Sequence, residues 1–112
     1  MSVNAPFTPT GNTVVFTANV AAPTAVQVPT TGGLGSNQYR IINSGSALVF
    51  LGYGANATVA SSGAVVPTTT QNNCLALLPG TDEIITFIPN AYFTGITVSG
   101  NATIYIVAGD GD

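Results

Sequence analysis

The sequence predicts an all-β protein: a single-domain antiparallel β-sandwich or jelly-roll-like barrel. Three observations carry this expectation. Short apolar runs recur along the 112 residues, broken by turn residues about every eight to twelve positions, the spacing of strands in sandwiches and barrels. Thr, Val and Ile abound, and they suit a pleated, half-buried surface. Helix formers are scarce, with one Arg, one Met and no Lys, and no window repeats apolar residues at three- and four-residue spacing.

Residues 13–18, "TVVFTA", alternate, with Val14 and Phe16 on one face and Thr13, Val15 and Thr17 on the other. Residues 25–28, "AVQV", form a short second run closed by Pro29, and "TTGGLGSN" follows as a flexible glycine-rich loop. Residues 38–43 and 47–53 read as two strands with Asn43-Ser44-Gly45-Ser46 as a hairpin loop between them. Residues 58–60 and 64–66 are weaker strand candidates, ended by Pro67 and the polar "TTTQNN". A run at 74–78 precedes Pro79-Gly80, the proline and positive-φ residue of a type II turn. Residues 83–88, "EIITFI", make a strong strand stopped by Pro89-Asn90. Residues 93–98 and 102–107 read as a last hairpin around Ser99-Gly100-Asn101. The organisation expected is an extended N-terminal arm over residues 1–11, a β-sandwich domain over 12–109, and a flexible tail over 110–112.

Composition excludes many functions. Charged residues make up 4% of the chain, against roughly 25% in an average soluble protein. Apolar residues make up 46%, enough for a folded core. The net charge is −3 and Arg40 is the only cation, so no basic patch exists to neutralise phosphates and no nucleic-acid partner is expected. Without His or Lys, the Ser/His/Asp and Cys/His arrangements and Schiff-base chemistry are closed, and no enzymatic activity is expected. Cys74 is alone, which excludes an internal disulfide and leaves no zinc set, so it reads as a buried, inert thiol. The carboxylates Asp82, Glu83, Asp110 and Asp112 make no Asp-rich calcium loop, and no cofactor or metal is expected. The glycines at 32, 33 and 35 lack the Gly-Lys-Ser/Thr ending of a phosphate loop. "MSVNAPFTPTG" has neither the basic nor the apolar region of a signal peptide, and no apolar run of about 18 residues spans a membrane, so neither export nor a membrane partner is expected. The triplets beginning at Asn56 and Asn101 match the glycosylation pattern only by chance in such a chain.

Arg40 shares a strand face with Gln38 and Ile42. Asp82 and Glu83, adjacent and so on opposite faces, are its cheapest partners in a structural ion pair that pins the register between two strands; a carboxylate of a neighbouring subunit is the alternative. Tyr92 and Phe93, after Pro89-Asn90, are the candidate surface aromatic contact, with core or interface as the plainer role. Several strands are apolar on both faces, "ALVFLGY" among them. Such faces suggest cover by another copy of the chain or by another protein, with flanking loops as the alternative.

The stretches "QYRIINSGSALVFLGYG", "LLPGTDEIITFIPNAYFTGIT" and "GNATIYIVAGDGD", with "PFTPTGNTVVFTA" near the start, resemble small β-rich structural proteins of tailed bacteriophages, in particular capsid decoration (cement) proteins. The resemblance covers about residues 6–109. It implies a virion protein made in the host cytoplasm and bound at high copy on the outer capsid surface. It further implies the major capsid protein as partner, a homotrimer, and an arm in which Ser2, Val3, Asn4 and Phe7 contact the capsid. The other functions left open are a carbohydrate-binding or host-adhesion module on the virion and a minor head–tail component.

Overall fold

The computed structural model describes residues 8–9, 13–28, 38–66, 74–88 and 90–110. The arm residues Ser2, Val3, Asn4 and Phe7, the loop at 30–37, the run at 68–73 and the last two residues of the expected tail lie outside them. The strands are β1 (Thr8–Pro9), β2 (Val14–Ala18), β3 (Val26–Gln27), β4 (Gln38–Asn43), β5 (Val49–Gly54), β6 (Cys74–Leu77), β7 (Asp82–Thr86), β8 (Tyr92–Thr97) and β9 (Ala102–Asp110); one helix, α1 (Ala57–Gly63), lies between β5 and β6.

These strands form two antiparallel sheets. In the five-stranded sheet the order runs β9–β4–β7, with β1 and β2 both on the remaining edge of β9. In the four-stranded sheet the order is β3–β8–β5–β6. The pairings β2 with β9, β3 with β8, β4 with β7 and β5 with β6 describe one long hairpin. The lateral pairings β4–β9 and β5–β8 wind that hairpin into a sandwich in the jelly-roll order. At one corner the sheets touch through a parallel bridge between Asn19 and Ile96.

The core lies between the sheets and follows the two-residue alternation of each strand. Phe16, Tyr39, Ile41, Ile104 and Ile106 face inward from the larger sheet, and Val49, Leu51, Leu77 and Phe93 from the smaller. Tyr39 meets Phe93 edge to face, with ring centroids 5.1 Å apart. Its buried hydroxyl donates to the Ile88 carbonyl and accepts from the Ala91 N–H at 3.1 Å, tying β4 to the β7–β8 connection.

Four expectations are corrected. Neither expected hairpin is one: β4 and β5 lie in different sheets, as do β8 and β9, so the turns at 44–48 and 98–101 carry the chain across the sandwich. A turn signature fixes a reversal but not which sheet receives the next strand. The weak strands at 58–60 and 64–66 are replaced by α1 and its exit. Asn56 caps that helix, accepting from the Val59 N–H at 2.9 Å, and tertiary packing outweighs the poor propensity of Thr, Val and Ser. The C-terminal strand continues through Asp110, which pairs with Thr8, because β1 and β4 flank Gly109 on both sides. Thr8 and Pro9, expected in a free arm, are therefore strand residues on the chain's own sheet.

Candidate interaction surface

Helix α1 covers part of the outer face of the smaller sheet. A Cβ on Gly52 would stand 2.2 Å from the Ala60 carbonyl oxygen, and one on Gly54 would stand 2.5 Å from a Val59 methyl, so two glycines let the helix lie flat on β5. The apolar "ALVFLGY" strand is thus partly covered from within the chain.

The outer face of the larger sheet has no such cover among the described residues. Strand alternation places Val15, Tyr105, Ile42 and Asp82 in one cross-strand row, and Val107, Arg40 and Ile84 in the next. Val15, Ile84 and Tyr105 are exposed, and Ile42 and Val107 are half-buried. Such a row on a solvent-facing sheet is ordinarily polar.

Arg40 lies within this face. Its Nε donates to Asp82 Oδ2 at 3.1 Å, and a terminal guanidinium nitrogen lies 3.0 Å from the same oxygen. The pairing is diagonal, because Arg40 stands directly opposite Ile84 and Asp82 opposite Ile42. Glu83, opposite the core residue Ile41, belongs to the other face of β7 and takes no part in the pair. Both partners are about half exposed, 46% and 49%, so solvent screens the interaction.

Phe93 is fully buried against Tyr39 and is no surface contact. Tyr92 is half-buried, opposite Gln27 and Gly54. Cys74 is half-buried rather than buried, at the start of β6. No group of three or more metal-ligating side chains occurs among the described residues. An open pocket lies between the 46–48 and 98–101 turns, lined by Ser46, Leu48, Val98, Ser99 and Asn101, which offer hydroxyls, an amide and apolar surface but no ionisable group. No described helix is long and apolar enough to cross a membrane.

Comparison with known proteins returns nothing. No family model, no curated protein and no solved structure matches this chain. Function must therefore be argued from the surface.

Sequence reasoning missed Asn43. It is fully buried, and its amide nitrogen donates to the Ala47 and Leu77 carbonyls while its oxygen accepts from the Gly45 N–H, each at 3.0 Å. The available signal was Asn followed two residues later by Gly, which is an Asx-turn pattern.

Proposed function

We propose that this chain is a non-enzymatic structural protein of a virus particle, a decoration (cement) protein that binds the outer surface of a capsid at high copy. The observation that carries the reading is the apolar patch of Val15, Ile42, Ile84, Tyr105 and Val107 on the outer face of the larger sheet, set on a chain with a single, already paired cation. A protein with so little surface charge suits a place where its surface is covered in an assembly. Jelly-roll sandwiches serve both capsid and lectin domains, so the fold alone does not choose between them. The sugar-binding reading wants an exposed aromatic platform; Phe93 is buried, which leaves Tyr105 as the one exposed aromatic among the described residues.

In this reading the major capsid protein is the partner. Contact comes from apolar burial, supplemented by strand pairing at an open sheet edge. Binding only the assembled shell then stabilises it by mass action. The direct test is the copy number in purified particles. A number approaching that of the capsid subunit supports decoration; a handful assigns the chain to the head–tail connection, and absence from particles overturns the reading. Binding to shells should change little between low and high salt, because no unpaired cation is there to be screened.

A further inference from the structure

We propose that β7 is a self-association edge, at which two copies of this chain pair antiparallel about a two-fold axis through Ile84. The inference does not rest on the capsid reading. Its starting point is the hydrogen-bond phase of β4 and β7. The Asn43 N–H donates to the Thr81 carbonyl at 2.9 Å, so the odd-numbered residues of β4 direct their backbone groups toward β7. With Ile41 opposite Glu83 and Tyr39 opposite Ile85, those two residues of β7 face β4 in return. Asp82, Ile84 and Thr86 then direct their N–H and C=O groups away from the sheet, and no strand among the described residues pairs with that side.

An edge of this kind templates pairing with another chain unless it is blocked, by lysine or other charged side chains, proline, a bulge or an inward-pointing charge. β7 has neither lysine nor proline, and its two charges are Asp82 on the outer face and Glu83 on the side that faces the core. Its centre, Ile84, is 53% exposed, and exposed apolar side chains flank it at Leu78 and Ile88. Asp82 is neutralised by Arg40, which leaves Glu83 as the one uncompensated charge on the strand.

Charge and strand overlap then select the register. The outward groups of Asp82, Ile84 and Thr86 must pair with their equivalents in the second copy. Registers that slide the copies either way bring Glu83 opposite Glu83, a like-charge opposition that is unfavourable, or pair fewer residues of the strand. The register centred on Ile84 sets Asp82 opposite Thr86 and Glu83 opposite Ile85, and it uses the whole strand. It also places Ile84 against its own copy and Gly80 in line with the partner's Ile88. The outer apolar faces of the two larger sheets would then run on as one surface.

This contact is two-fold, whereas the resemblance noted above implies a trimer, so mass separates them. Native mass spectrometry of the full chain over a concentration series should give a monomer–dimer equilibrium. Ile84→Lys, which keeps every β4–β7 hydrogen bond, should remain monomeric with an unchanged far-ultraviolet circular dichroism spectrum, and Val15→Lys on the far edge should still dimerise. A second test does not depend on the lysine variant folding. In a Cys74→Ser background, Ile84→Cys should form a disulfide-linked dimer on mild oxidation, because directly opposed hydrogen-bonded residues stand about 5.5 Å apart at Cα, within disulfide range. Glu83→Cys in the same background should not cross-link as readily. A wild-type monomer at all concentrations, a trimer, an undiminished Ile84→Lys dimer, or equal cross-linking at 83 and 84 would each overturn the proposal.

Discussion

The side-chain amide of Asn43, at the end of β4 in one sheet, donates at 3.0 Å to the carbonyl of Leu77, at the end of β6 in the other. The same amide group reaches Ala47, and its oxygen holds the Gly45 N–H, so one buried side chain both makes the turn and joins the sheets. Replacing it leaves the Leu77 carbonyl without its donor in a buried place, and the part-buried Ala47 carbonyl and Gly45 N–H without their partner. Asn43→Ala should lower stability by about 2–3 kcal/mol in urea unfolding, the cost of unsatisfied buried polar groups. Asn43→Asp should be worse near neutral pH, where a carboxylate faces two carbonyls, and should recover in part on acidification as the carboxyl gains a proton to donate. An Asn43→Ala loss within experimental error would mean that the turn geometry, not the amide, holds the corner.

Tyr39 supplies a pH dependence. Burial raises its pKa above the ordinary value, and the hydrogen bond from the Ala91 N–H offsets this in part. A raised folded-state pKa means that the stabilisation is complete below the unfolded tyrosine value of about 10 and is lost as pH rises from there through the folded value. Tyr39→Phe should reduce stability at neutral pH by about 1–3 kcal/mol, since the buried Ala91 N–H loses its acceptor. It should also flatten the alkaline limb of the stability curve. Parallel alkaline limbs for the two proteins would show that Tyr39 is not the group that titrates.

The strand content was legible because alternation and turn residues are local. Residues 38–43 were placed to the residue, and Gly80 takes the positive φ of 72° that Pro79-Gly80 implied. The topology was not legible: Asn43-Ser44-Gly45-Ser46 reads alike whether the next strand returns beside β4 or crosses to the other sheet. Helix α1 was hidden because its stability comes from contact with Gly52 and Gly54, residues whose spacing in a strand suggests weakness rather than a seat for a helix. Of the candidate surface, charge scarcity singled out Arg40 and left Asp82, Glu83 and a neighbouring subunit's carboxylate as its partners, of which the structure shows Asp82; Phe93 stayed open between surface and core because an aromatic after a turn can face either way.

Gly52→Ala tests that seat. The added methyl would meet the Ala60 carbonyl oxygen and the Ala64 nitrogen, both backbone atoms that cannot rotate aside. Either α1 lifts from the sheet or β5 shifts, and overpacking of this kind costs about 1–3 kcal/mol. Gly80→Ala is the contrasting case, with open space around it but a positive φ, so its loss should be set by backbone strain and should leave the helix signal in circular dichroism unchanged. Equal loss of helix in both variants would remove the argument that Gly52 seats α1.

The single cation of the chain makes the last prediction unusually clean. Arg40 has one ionic partner among the described residues, Asp82, and both are about half exposed, so the charge pair itself should contribute no more than about 1 kcal/mol. The arginine stem has a separate role, because Arg40 stands between Val107 and Ile84 on adjacent strands, where cross-strand spacing brings a long side chain within reach of both neighbours. Asp82→Asn and Arg40→Met should therefore each cost little, and both effects should shrink in high salt, while Arg40→Ala should cost more than Arg40→Met by a margin that salt leaves unchanged. A double-mutant cycle over Arg40→Met and Asp82→Asn reads the pair directly. A coupling well above 1 kcal/mol would mean that the outer face is drier than a free sheet surface, as it would be if a second copy or a partner lay over it.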